Sequence, residues 1–182
     1  MADWYDRLHW LDYDSGVALR YHGRRKEFLD RLARLDPALS VIFGSTAFAT
    51  IAAGHLYVAA AAAALTTAFS AIDLAFGLGD RARQHEELFR RWGQLRSHLA
   101  RLSPQDENAL QELEAQRAII DAESPGQLLA LSALCENEEK KARREGRLSK
   151  ICWAQRVVAD WFTWPGWAVT PDGEASSDQL RI

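Results

Sequence analysis

Residues 37–72 contain no Asp, Glu, Lys or Arg: thirty-six consecutive uncharged positions in a chain that is 26% charged. The titratable side chains inside the run are His55 and Tyr57, near its middle. Charge is dense on both flanks, with Arg20, Arg24, Arg25, Lys26, Arg31 and Arg34 before it and Arg81, Arg83, Arg90, Arg91 and Arg96 after it. Such a gap decides which solvent this part of the chain folds in. As one helix it would extend roughly 54 Å, well beyond a ~30 Å hydrocarbon core. Gly54-His55 lies near the midpoint, and glycine suits a turn better than a helix interior.

The run therefore divides into two helices, about residues 38–53 and 56–78, the second spanning the bilayer if Asp73 sits near one surface. In lipid every backbone polar group must be satisfied within the chain, so two helices joined by a minimal turn are the expected form. The Lys and Arg clusters on the outer flanks, and their absence from the turn, place both termini in the cytoplasm. The N-terminus, Met1-Ala2-Asp3-Trp4-Tyr5-Asp6, is acidic and aromatic and reads as no secretory signal. The competing expectation is a soluble helical assembly protein that buries an Ala-rich hairpin at its centre.

A chain of 182 residues has room for one domain, or for a hairpin with a modest soluble part. The net charge of −3 argues against general nucleic-acid binding, which needs a basic footprint. Cys135 and Cys152 have neither C-x-x-C nor Cys/His ligand spacing, and the five histidines form no H-E-x-x-H. Glycine-rich phosphate loops, nucleophile elbows and kinase signatures are missing from the sequence. The expectation is a non-enzyme without cofactor or metal.

Outside the run the pattern is helical almost throughout, and the expected fold class is all-α: a two-helix transmembrane hairpin with long cytoplasmic helices forming a bundle. Four segments are expected: 1–36, amphipathic and aromatic; 37–79, the hairpin; 80–170, the cytoplasmic helices; and 171–182, a loose polar tail. Residues 14–35 form an approach helix that Asp36-Pro37 breaks or kinks, since proline disfavours a helical residue before it. No strong breaker intervenes between Leu56 and Leu102, so one helix is expected to run out of the bilayer. On it Leu88, Trp92, Leu95, Leu99 and Leu102 are spaced 4, 3, 4, 3, a seam suited to pairing between copies. Ser103-Pro104 and Ser124-Pro125 read as helix starts, giving helices 104–122 and 125–144. The charged half of the latter reads as a solvated face with Glu136–Lys140 and Glu139–Arg143 pairs. A last helix, 148–163, leads into Trp164-Pro165-Gly166-Trp167. Six of the seven tryptophans lie towards the chain ends (Trp4, Trp10, Trp153, Trp161, Trp164 and Trp167). They either pack together or sit among lipid headgroups. Mutual packing is favoured, because the neighbouring aspartates would be repelled by anionic lipid.

Two stripes mark the second membrane helix. Ala59, Ala63, Thr67, Ala71, Ala75 and Gly79 form a small-residue ridge that permits close helix approach, matched by Ser45, Ala49 and Ala53 on the first helix. Thr66, Ser70, Asp73, Gly77 and Asp80 form a polar line, a candidate pore lining whose carboxylates would make acidic rings in an oligomer. The bland reading has Asp73 paired with Arg81 or Arg34 at the interface and the hydroxyls bonded to their own backbone. His55 reads as a solvated turn residue.

The order of these features resembles the SLATT family, the SMODS- and SLOG-associating two-transmembrane effector domains of bacteria. An amphipathic helix with Tyr21-His22-Gly23-Arg24-Arg25-Lys26 leads to a two-helix hairpin. A long helix follows, with Asp80-Arg81-Ala82-Arg83-Gln84-His85-Glu86-Glu87-Leu88 continuing into Phe89-Arg90-Arg91-Trp92. The likeness covers about residues 14–134 and rests on architecture more than on a sharp motif. It implies a membrane effector of a conflict or anti-phage system that oligomerises into a pore or ion channel. A nucleotide-synthesising or nucleotide-sensing partner, or its product, would control it. No such enzyme or sensor is recognisable in the sequence itself, and the aromatic C-terminal segment has no counterpart in the resemblance. The expected partners are thus the lipid bilayer, further copies of the chain and that nucleotide-related partner. The alternative is a non-conducting, membrane-anchored scaffold that recruits a cytoplasmic partner.

Overall fold

A computed structural model of the chain describes residues 2–161 and 170–171. The fold is all-α: α1 (Ala2–Ala52), α2 (Leu56–Phe76), α3 (Leu78–Leu99), α4 (Glu107–Glu123), α5 (Leu129–Arg143) and α6 (Trp153–Val157). β1 (Ser149–Lys150) pairs antiparallel with β2 (Thr170–Pro171), Ser149 opposite Pro171. The chain divides into two compact units: residues 25–86, and residues 1–24 with 87–182.

Five expected boundaries change. Pro37 lies inside α1, which does not stop at Asp36. A proline removes one N–H, here the donor for the Ala33 carbonyl, and long helices with apolar surroundings tolerate that single loss. Second, the helix expected to run unbroken from Leu56 is interrupted at Gly77, which is left-handed at φ 56° and donates its N–H to the Asp73 carbonyl at 2.8 Å. Only glycine takes this conformation without steric cost. Third, α4 is capped by Asp106, whose carboxylate accepts from the Ala109 N–H at 3.0 Å, rather than by Ser103. Ser124-Pro125 starts no helix: Ser124 is the extended C-cap of α4, and α5 begins only at Leu129. The final helix shrinks to α6, which Cys152 and Gln155 start with a reciprocal cap.

The turn of the hairpin falls where the sequence puts it. Gly54 is left-handed at φ 79°. The His55 N–H donates to the Thr50 carbonyl at 2.7 Å, and the Gly54 N–H to Ile51 at 3.0 Å. These are the two bonds of a Schellman stop, which satisfies carbonyls that would otherwise end in lipid or water unpaired.

The unit of residues 1–24 and 87–182 is built around Trp4, Leu11, Leu88, Trp92, Leu95, Leu99, Leu110, Leu113 and Ile120, with Leu102 packed against them. This corrects the expected pairing seam between copies. Leu88, Trp92, Leu95 and Leu99 are at most 7% exposed within one chain, so they are the core and not an oligomer surface. A seam of large apolar side chains gains about 1.5–3 kcal/mol per residue from burial, and α1 and α4 reach it first. A second cluster gathers Tyr21, Ala130, Leu131, Cys135 and Ala159. The Tyr21 hydroxyl accepts from the Leu128 N–H at 3.0 Å, fixing the start of α5.

Among the described residues the expected aromatic mini-core is not formed. Trp4 is buried, but in the core with α3 and α4. Trp10, Trp153 and Trp161 are 61%, 77% and 56% exposed. Trp164 and Trp167 lie outside the described residues, as does the expected loose tail after Pro171.

Candidate functional site

The hairpin of residues 25–86 leaves its apolar surface open. Among the described residues two helices are long and apolar enough to cross a membrane, and 0% and 11% of the residues in their most apolar windows are buried. Val41, Ile42, Phe48 and Ile51 on α1 and Leu56, Tyr57, Leu74 and Phe76 on α2 are all more than half exposed. The competing expectation of a hairpin wrapped by its own chain therefore does not hold among the described residues. Phe43 and Phe69 stack with ring centroids 6.4 Å apart, and Ala59 and Ala62 are buried.

The structure reverses the expected faces of α2. Of the small-residue ridge only Ala59 is buried; Ala63, Thr67, Ala71 and Ala75 are exposed. The polar stripe instead turns towards α1. Ser70 Oγ donates to Asp36 Oδ1 at 3.2 Å, joining the two helices. Thr66 Oγ1 donates to its own helix at Ala62, 3.1 Å away. Asp73 is half-buried with Oδ1 lacking a hydrogen-bond partner, and neither Arg81 nor Arg34 pairs with it. Gly77 is the α2 cap, and Asp80 is exposed, 3.4 Å from Arg83. Thus Thr66, Ser70 and Asp73 share the inner side of the hairpin, while Gly77 and Asp80 belong to the junction with α3. Hydroxyls and carboxylates have no partner in an apolar solvent; facing α1 satisfies Ser70, while Thr66 is satisfied by its own helix whichever way it faces.

At the open end of this unit, Lys26 Nζ lies 2.7 Å from Glu86 Oε1, and Arg25 sits 5.4 Å from the Phe28 ring centroid. His85 is 5% exposed; burial, with a smaller push from the Arg25 charge, lowers its pKa to about 4.

The other unit contains an ionic network that sequence reading took for a solvated face. Glu139 is 2% exposed. Arg20 Nε donates to its Oε2 at 2.7 Å and Arg143 Nε to its Oε1 at 2.8 Å. Arg143 Nη2 also reaches Asp12 Oδ2 at 2.5 Å, and Arg96 Nε lies 3.3 Å from Asp12 Oδ1. α1, α3 and α5 are tied together at this point. Burial raises the Glu139 pKa, but the hydrogen bonds from Arg20 and Arg143 outweigh it and leave the carboxyl below its ordinary range. The expected Glu139–Arg143 pair is present, yet its i,i+4 spacing gave no sign that two further arginines converge on it.

Beside α4 lies a cleft of about 460 Å³ lined by Tyr13, Asp14, Tyr21, Trp92, Arg117 and Asp121, among others. Arg117 Nη2 is 2.8 Å from Asp14 Oδ2. Its Nε is 3.3 Å from Asp121 Oδ2, close enough for an ion pair but not aligned as a hydrogen bond. Burial raises both carboxyls, partly offset by Arg117, and pushes the Tyr13 hydroxyl up to about 12. No cluster of metal-ligating side chains occurs among the described residues. Comparison with protein-family models, curated proteins and solved structures finds no match to this chain.

Proposed function

We propose that the chain is a non-enzymatic membrane effector of a bacterial conflict or anti-phage system, with the hairpin of α1 and α2 inserted in the cell membrane. The observation that carries this is that almost no residue of either apolar window is buried, in a folded chain whose other unit has a well-buried core. Water is a poor solvent for that surface, whereas a bilayer matches its length and leaves its backbone satisfied. The charge asymmetry then puts both termini in the cytoplasm and Gly54-His55 outside.

In this reading several hairpins assemble into a pore or ion channel. Since the α3 seam is spent on the chain's own core, the contacts between copies fall to the exposed small ridge of Ala63, Thr67, Ala71 and Ala75. Small residues allow the close backbone approach that membrane helices need to associate. Asp73 carries a buried carboxylate oxygen with no hydrogen-bond partner and is the candidate polar group of the ion path. Control would come from a nucleotide-related signal or a partner that makes or senses it, as the resemblance implies.

A non-conducting, membrane-anchored scaffold is the second reading. It is favoured by the Ser70–Asp36 bond and the Thr66 back-bond, which occupy two of the three polar side chains Thr66, Ser70 and Asp73 of the α2 stripe. Ion flux into liposomes separates the two. The channel reading expects cation leak from inserted wild-type protein and altered selectivity in Asp73→Asn. A correctly inserted protein that leaks under no nucleotide condition leaves the scaffold.

A further inference from the structure

We propose that α6 and the basic stretch before it dock on an anionic lipid surface, giving the unit outside the hairpin its own contact with the bilayer. The inference rests on the membrane reading above and adds a second, peripheral binding site to it.

α6 is amphipathic with its usual sense reversed. Its inward positions are Gln155, 6% exposed, and Ala159 just beyond it, 1% exposed in the second core cluster. Its outward positions are Trp153 and Val157, 77% and 63% exposed, followed four residues later by Trp161 at 56%. The orientation is fixed, because the Gln155 side chain accepts from the Cys152 N–H at 2.9 Å while Cys152 caps the helix in return. Single exposed apolar side chains are ordinary, but Trp153 and Val157 share one face of α6 and a second exposed indole, Trp161, follows in the turn that ends it. Indole is the side chain that gains most from the boundary between headgroups and acyl chains, where its ring is dehydrated and its N–H stays wet.

Charge selects the occupant. Residues 140–161 hold seven Lys and Arg against two acids, Glu145 and Asp160, within a chain whose net charge is −3. Lys140 pairs with Glu136, and Arg143 is held by Glu139 and Asp12. Lys141, Arg144, Arg147 and Arg156 are exposed and form no ion pair with any carboxylate among the described residues. A protein partner would need a matching acidic face, whereas the cytoplasmic leaflet supplies one, and exposed basic residues near exposed tryptophan in the sequence are the combination that binds it. Tethering by the hairpin keeps the surface at high effective concentration, so weak contacts suffice.

The chain provides its own probe: no tryptophan lies between Trp10 and Trp92, so the hairpin is silent in tryptophan fluorescence. The full chain is reconstituted into nanodiscs of phosphatidylcholine alone or with phosphatidylglycerol, each with and without brominated lipid. Insertion is verified separately by resistance to carbonate extraction. The expected result is bromine quenching in the anionic discs at least twofold greater than in the neutral ones, and loss of most of it in Trp153→Ala/Trp161→Ala. Lys141→Glu/Arg144→Glu/Arg147→Glu, which keeps the indoles, should lose it as well. Inserted protein with no such quenching, or quenching indifferent to both variants, overturns the proposal while leaving the hairpin reading intact. Failure of insertion itself would instead overturn the reading on which it rests. Retention of single-stranded RNA by the solubilised chain, lost in the charge-reversal variant while lipid quenching is unchanged, assigns the basic stretch to nucleic acid and also overturns it.

Discussion

The carboxylate of Glu139 lies against the backbone of Gly16, so close that a Cβ at position 16 would stand 2.4 Å from Oε1 and 2.6 Å from Cδ. No ordinary contact is that short, and Glu139 has no room to yield because Arg20 and Arg143 hold both of its oxygens. Gly16→Ala is therefore expected to destabilise the protein by about 1–3 kcal/mol, the usual cost of overpacking. Urea denaturation in detergent should report it as a lower midpoint. An unchanged midpoint would mean that the network is looser than its distances.

Replacing Glu139 with Gln preserves shape and removes charge. Arg20 and Arg143 are then left without their buried counter-charge, which costs about 3–5 kcal/mol when one partner of a buried pair is lost. Both arginines are partly exposed, so the lower end is expected. The double variant Glu139→Leu/Arg143→Leu should recover much of that loss, and thermal melts of the single and double variants measure the difference.

His85 sets an acid limit on stability. Its pKa falls from an ordinary value near 6.5 to about 4 on folding, so between these values the unfolded chain binds more protons than the folded one. Stability from this site is complete above about pH 6.5, declines as the pH drops towards 4, and changes no further below that. The full loss is at most about 3 kcal/mol. His85→Gln should flatten the dependence of the melting temperature between pH 7 and 4.5. A slope identical to the wild type in that window would assign it elsewhere.

Asp73 carries a half-buried oxygen with no partner on the inner side of an apolar hairpin. Removing an unsatisfied polar group from such a place stabilises, by about 1–3 kcal/mol on the usual scale. Asp73→Leu is thus expected to raise the temperature at which the protein aggregates out of detergent, while abolishing any cation flux. A variant that is less stable than the wild type would show that the carboxylate is satisfied in the membrane by a group this chain does not provide.

Some of this protein was legible from residue order alone. The charge gap and Gly54-His55 determined a two-helix hairpin with a turn at that point, because both depend on local chemistry: the cost of burying charge in lipid and the left-handed backbone that glycine permits. The i,i+4 pairs on α5 were legible for the same reason. Periodicity also identified which residues share a face, but not what that face meets. Leu88, Trp92, Leu95 and Leu99 form one stripe in the sequence, and only the arrival of Trp4 and Leu11 from α1 and of Leu110 and Leu113 from α4 decided that the stripe is a core. Thr66, Ser70 and Asp73 form another, and only the position of Asp36 decided that it turns inward. Glu139 carries no mark of burial in its neighbours along the chain; apart from Arg143, the groups around it, Gly16, Arg20 and Arg96, come from more than forty positions away. Burial and long-range pairing depend on which surfaces compete for each other in space, and that competition is settled by tertiary packing.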